Sequence, residues 1–140
     1  MALKQAHRLL SLKTPLGDDV LVLTAFSGEE EISRLFHYEL QMISDNSAIK
    51  AADIVGKNVT WGVKSKSQSP RHFNGFVSRF YAGDEDKKGR RNYRAEVVPW
   101  LWFLTRTADC RIFQDKSVPE IIEQIFGDLG FSDFEKSQVQ

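Results

Sequence analysis

Asp84-Glu85-Asp86 followed by Gly89 sets carboxylates ahead of a glycine turn, an arrangement that can wrap a hard cation in oxygen ligands. The pattern then breaks. Lys88 stands where a third oxygen ligand belongs and Ala95 where a bidentate glutamate belongs, so the segment reads as a solvated hairpin tip. Lys87-Lys88-Gly89-Arg90-Arg91 is the densest basic run, and aromatic strands beside it could stack single-stranded nucleic acid. The acids just upstream offset most of that charge, and rings on strands are more often core than platforms, so no nucleic-acid partner is expected. Nucleophilic catalysis needs a base within reach of an activated Ser or Cys, yet neither G-x-S-x-G nor a glycine-rich phosphate loop occurs. Cys110 reads as an inert, semi-buried side chain, and His37 and His72 as surface or hydrogen-bonded members of alternating strands. Glu29-Glu30-Glu31 is the solvated face of a turn, and Asn58-Val59-Thr60 fits a glycosylation sequon without a secretory context. No catalytic, metal-binding or cofactor-binding residue is expected.

The composition sets bounds on the same question. Of 140 residues, 41% are apolar, enough for a core in about one domain. Lys plus Arg and Asp plus Glu are 19 each, so no net basic field exists to hold a polyanion or an anionic membrane. One cysteine and three histidines, at positions 7, 37 and 72, make neither an internal disulfide nor a closed thiolate-rich zinc site. The N-terminus shows no apolar stretch of signal-peptide length, and no segment has the ~18 apolar residues of a membrane span. The expectation is a chain made in the cytoplasm that, if exported, leaves without a conventional leader.

The elements that position these side chains are mostly strands. His7 to Lys13 reads as a first strand, Pro15 to Asp19 as a break, and Val20-Leu21-Val22-Leu23 as a strand covered on both faces. Ser27 to Glu31 should turn the chain. Phe36, Tyr38, Leu40 and Met42 alternate with His37, Glu39 and Gln41, placing large side chains on one face of a pleated strand. Ala51 to Gly56 resembles a helical turn closed by glycine. Val59, Trp61 and Val63 start a strand that a long tip, Lys64 to Pro70, joins to another from His72 to Phe80, in which Gly75 predicts a bulge or tight bend. A second tip, Gly83 to Asn92, leads into a strand from Tyr93 to Val98.

Pro99 suits the first turn of a helix, and Trp100-Leu101-Trp102-Phe103-Leu104, apolar all round, predicts a buried one. Cys110 to Gln114 has room for a short strand. Ser117 with Glu120 forms a capping box before a helix whose apolar stripe is Val118, Ile121, Ile122, Ile125, Phe126 and Leu129; Gly130 and Phe131 predict a Schellman cap. That stripe must dock on something. From the residues alone the chain is a β-rich α+β domain without an evident ligand.

A resemblance extends this reading. Phe36-His37-Tyr38-Glu39-Leu40, Ile54-Val55-Gly56-Lys57, Phe73-Asn74-Gly75-Phe76-Val77-Ser78-Arg79-Phe80 and Val98-Pro99-Trp100-Leu101-Trp102-Phe103-Leu104-Thr105-Arg106 occur in that order. Cys110-Arg111-Ile112-Phe113-Gln114 and Val118-Pro119-Glu120-Ile121-Ile122 follow. Together, from about Leu9 to Phe134, they resemble the N-terminal hub region of the VgrG family, the spike proteins of bacterial type VI secretion. The resemblance implies an α+β, mainly β fold: a tail-tube- or baseplate-hub-like β-barrel with short helices in its C-terminal part. It implies a first hub domain over 1–98 and, over 99–140, a segment that completes the barrel or starts the next hub domain. Family members continue through more hub structure and a needle, so this chain reads as a piece of a longer protein.

The implied role is mechanical and non-enzymatic. In the family three copies form a spike base on the hexameric tube of the haemolysin-coregulated protein, Hcp. Other spike, baseplate and effector proteins are further partners, the spike is secreted through the type VI apparatus, and a membrane enters only as the target pierced. A phage-tail hub is the nearest alternative, and a nucleic-acid-binding barrel a distant one. The interface candidates are the basic residues of the two tips, Lys64, Lys66, Lys87, Lys88, Arg90 and Arg91, since loops on a rigid scaffold carry contacts.

Overall fold

The computed structural model describes residues 3–64 and 69–135. The chain divides into two compact units, Met1–Trp102 and Phe103–Gln140. The first unit holds six strands: β1 (Leu10–Lys13), β2 (Val22–Glu29), β3 (His37–Ser44), β4 (Asn58–Val63), β5 (Arg71–Glu85) and β6 (Arg91–Val98). All neighbours are antiparallel, in the order β1-β4-β5-β6-β3-β2. The outer strands β1 and β2 approach each other again, so the sheet is a nearly closed barrel.

Period-two patterning decides the inside. In β3, Tyr38, Leu40, Met42 and Ser44 are buried while His37 and Gln41 are exposed; in β6, Tyr93, Ala95 and Val97 are buried. Leu21, Leu23, Val59, Trp61, Val77 and Phe80 complete the core. Ser44, the buried polar residue of the core, donates its hydroxyl to the Val20 carbonyl at 2.5 Å. Ala51–Asp53 forms a single 3-10 turn that Gly56 follows at φ 77, as the glycine there predicts.

Several expectations are corrected. The chain does not turn at Ser27: β2 runs on to Glu29, pairing Gly28 with Tyr38. A Cβ on Gly28 would lie 2.1 Å from the Tyr38 ring, so the glycine serves as a bed for an aromatic ring rather than as a turn. Gly75 marks no bulge. It pairs in register with Val59, and a Cβ there would meet Val97 at 2.6 Å, so close approach of the inner wall explains it. The register shifts instead between Leu23 and Ala25, Val77 and Arg79, and Ala82 and Glu85. The first lies in β2; the other two lie in β5 and bend that long strand around the barrel.

In the second unit, α1 (Val118–Asp128) begins as its capping box requires, with the Ser117 N–H and hydroxyl both donating to Glu120 Oε2 at 2.7 Å. It ends in a Schellman motif. The N–H groups of Gly130 and Phe131 donate to the carbonyls of Gly127 and Phe126, each at 2.9 Å, with Gly130 at φ 78. Phe131 stacks on Phe103, and Phe126 meets Phe134 edge-on. The apolar stripe is not buried: no residue of α1 is, and Val118 stays 69% exposed.

Trp100–Arg106 is a 3-10 helix with no buried residue, not the buried helix expected. Three residues per turn send consecutive apolar side chains in three directions, so they cannot all face one layer. Cys110–Gln114 forms no strand, and Cys110 is exposed rather than semi-buried. Arg111 instead ties this stretch to the end of α1 through Asp128 at 2.6 Å, while Asp109 beside it holds the guanidinium at 2.8 Å.

The bed under Tyr38 yields a stability test. Gly28→Ala should cost about 1–3 kcal/mol, the range for overpacking a filled site, as read from urea unfolding midpoints. A midpoint equal to wild type would show that the ring yields freely.

Candidate interaction surface

The turn between β5 and β6 is built from its own charges. Asp86 Oδ1 accepts the N–H groups of Lys88 at 2.8 Å and Arg90 at 3.0 Å, while Oδ2 accepts from Arg90 Nε at 2.8 Å and Nη2 at 2.5 Å. Gly89, at φ 75, completes the reversal. The side-chain bond from Arg90 is the main cause holding the Asp86 carboxyl down to about 2, helped by the backbone donors and opposed by desolvation. Arg91 points elsewhere. Its Nη1 donates to the Ser47 carbonyl at 3.0 Å and its Nη2 pairs with Glu85 at 3.1 Å, fastening the base of the hairpin to the loop after β3.

The basic residues picked out in the sequence therefore separate by task. Lys87 and Lys88 have exposed side chains at the tip, whereas Arg90 and Arg91 are half-buried and hold the hairpin together. Lys64 is also engaged: its backbone N–H donates to the Leu9 carbonyl at 2.8 Å and its Nζ to the Ala6 carbonyl at 3.2 Å. Lys66 lies outside the described residues. The first tip enters β5 at Arg71 and the second leaves it at Glu85, at the opposite end of that strand.

Two features escaped the sequence reading. On the outer face of β3, β6 and β5, Glu96 gathers Arg79 at 3.6 Å, His37 at 3.5 Å and the Tyr81 hydroxyl at 3.3 Å, while Arg94 pairs with Glu39 at 3.3 Å. These partners sit on different strands, so only the register reveals them. Exposed pairs of this kind contribute little to stability, but they make the face a mosaic of both signs.

The second is a mouth of the barrel, a cavity of about 560 Å³ lined by Phe26, Gly28, Tyr38, Arg71, Phe73 and neighbours. Trp61 stacks on Phe73 with centroids 5.5 Å apart beneath it, and Tyr38 meets Trp61 edge-on at 5.1 Å. The Arg71 guanidinium covers the Phe73 ring at 4.7 Å, and Glu30 accepts the Tyr38 hydroxyl at 2.6 Å. Burial first, then the hydrogen bond and charge of Glu30, push Tyr38 up to about 12 against the pull of Arg71. A phenol held neutral in this way is an orienting hydrogen-bond donor, not a base. Among the described residues no group of three or more His, Cys, Asp or Glu side chains converges.

Neutralising one partner of the turn's own pair gives the pH prediction. Because Asp86 is depressed in the fold, its contribution is complete above the ordinary value of 3.8 and is lost as pH falls through about 2. Side-chain NMR titration should place the Asp86 midpoint near about 2, and Arg90→Gln should return it toward 3.8. A midpoint unmoved by that substitution would remove Arg90 as its cause.

Known proteins with this architecture can now be set beside it. The profile of the phage tail baseplate hub (GPD) family matches residues 29–140. The type VI secretion system spike proteins VgrG1b and VgrG1a of Pseudomonas aeruginosa are 45% and 47% identical over 96% and 94% of this chain. The chain spans only 18% and 20% of those proteins. Among solved structures, the E. coli c3393 protein, described as a type VI secretion component similar to the T4 bacteriophage tail proteins gp27 and gp5, superposes with a TM-score of 0.68. The match has 22% identity and covers 94% of this chain and 33% of that one, so it bears on the fold alone. The likeness to the spike-protein hub read from about Leu9 to Phe134 thus holds, and this chain belongs to the phage tail baseplate hub (GPD) family.

Proposed function

We propose that this chain is the barrel part of the hub at the base of a type VI secretion spike, a structural element that transmits force and catalyses nothing. The observation that carries the reading is the similarity to spike proteins over 94–96% of the chain. The barrel agrees with it. Its interior is filled by side chains and its outer face carries cross-strand ion pairs, which suits a part loaded through its interfaces.

In this reading three copies form the spike base, seated on the hexameric Hcp tube, with other spike, baseplate and effector proteins assembled around it. The assembly is exported through the type VI apparatus. The domain boundary near Val98 and Pro99 separates the barrel from the start of the next hub layer. Of the tip cations, Lys87 and Lys88 are the contact residues, because their ammonium groups project while Arg90 and Arg91 hold the turn. A phage-tail hub is the second reading, favoured by the description of the matched family, and it shares the mechanical role.

The test uses the spike protein that carries this hub. Reversing Lys87→Glu and Lys88→Glu together should lower the tube protein released to the medium at least severalfold while the spike's cellular abundance stays unchanged. Arg90→Glu with Arg91→Glu should instead lower abundance itself. Normal release at normal abundance for the lysine pair would take the tip out of the interface. Light scattering on the purified chain across a concentration series would read whether the threefold contact lies in this piece, as an approach to three times 16.0 kDa.

A further inference from the structure

β1 and β2 occupy opposite ends of the strand order and face each other across the seam of the barrel, where among the described residues no ladder joins them. The alternation of the β1–β4 ladder shows what the seam leaves open. The Lys64 N–H donates to the Leu9 carbonyl at 2.8 Å, so Leu9, and with it Ser11 and Lys13, direct their peptide groups toward β4. Leu12, opposite Trp61, must then turn its N–H and C=O the other way, into the seam. There one side chain meets both. Leu12 N–H donates to Gln5 Oε1 at 2.7 Å, and Gln5 Nε2 donates to the Leu12 carbonyl at 3.0 Å.

A primary amide offers the same donor and acceptor pair as a peptide group, so Gln5 takes the place that a neighbouring strand would fill. Its position is fixed from both sides. The Gln5 N–H donates to Asp19 Oδ1 at 2.9 Å, and Asp19 itself sits at φ 60, the left-handed region that aspartate tolerates better than most residues. The Gln5 carbonyl accepts the Arg8 N–H at 3.0 Å, and Leu3, buried at 8% exposure, sends its N–H to Asp45 Oδ2 at 3.2 Å. Lys64 Nζ on the Ala6 carbonyl, at 3.2 Å, pins the middle.

We propose that residues 3–8 are a strap across the seam and that Gln5 is its clasp, the side-chain amide closing the barrel at Leu12 in place of a β1–β2 ladder. Release of the clasp unlatches β1, while β4, β5, β6, β3 and β2 keep their bonds to one another. The device follows from placement: Gln5 takes no part in the core cluster, yet its side chain holds the backbone of Leu12 on β1, one of the two end strands whose edges face the seam.

Amide hydrogen exchange on the 140-residue chain tests it. In Gln5→Ala the Leu12 amide should exchange about tenfold faster or more, while the amides of β3 and β6 keep wild-type rates. Gln5→Glu retains an acceptor for the Leu12 N–H and should keep that amide slow, which also serves if the alanine variant does not fold. A Leu12 amide unchanged in Gln5→Ala, a loss of protection spread evenly over all strands, or a Leu12 amide as fast in Gln5→Glu as in a folded Gln5→Ala would each overturn the clasp.

Discussion

Phe26, Tyr38, Trp61 and Phe73 come from four different strands, β2, β3, β4 and β5, and their rings meet within 5.1–6.3 Å of one another. In the strand order, β2 is the last member and β4 the second, so these contacts cross the interior instead of following the ladder. That crossing is what curls a six-stranded sheet into a barrel: the rings bury large apolar areas only if the far ends of the sheet are brought together. Other features follow from it. Gly28 must lack a side chain so that the Tyr38 ring can lie on it, and Gly75 must lack one so that Val97 can close the wall behind. With the sheet curled, β1 and β2 come close without registering, and the leftover peptide groups of Leu12 require a partner from outside the ladder.

The same contacts explain what could be read from the sequence and what could not. The alternation Tyr38, Leu40, Met42 names an inner face directly, because strand periodicity is a local property. The capping box of Ser117 and Glu120 and the Gly130–Phe131 cap are equally local, and they stand where the residues place them. Gly28 and Gly75 misled for one reason. A glycine within a strand can serve a bend or a close neighbour, and the neighbours, Tyr38 and Val97, are set by register across the sheet. Trp100 to Leu104 misled because hydrophobicity on every side marks burial only where the helix has a layer on every side.

Charge was the least legible property. Lys87, Lys88, Arg90 and Arg91 are a single basic run in the sequence, yet Arg90 belongs to Asp86, Arg91 to Glu85 and the Ser47 carbonyl, and only the two lysines project. The partner of Arg91 lies 44 positions away, a distance at which composition carries no information. A run of like charges on a hairpin is therefore a poor measure of available charge until the turn's own hydrogen bonds have been subtracted. The equal totals of acids and bases conceal the same fact on the outer face, where Glu96 and Glu39 are matched by arginines on neighbouring strands.

A module that bears load needs an interior that resists shear and a surface that can be matched to neighbours, and these demands conflict at strand edges. An unpaired edge is the most adhesive surface a sheet has, and it is also where a barrel yields first. Full ladder closure would remove the edge but fix the barrel's shape. In this chain the closure is made instead by a side-chain amide on a short strap anchored at Asp19, Asp45 and Lys64. Such a junction satisfies the backbone at Leu12 while leaving β1 and β2 free of a mutual register, so the seam can adjust by a side-chain rotation where a ladder would have to slip by a whole residue pair.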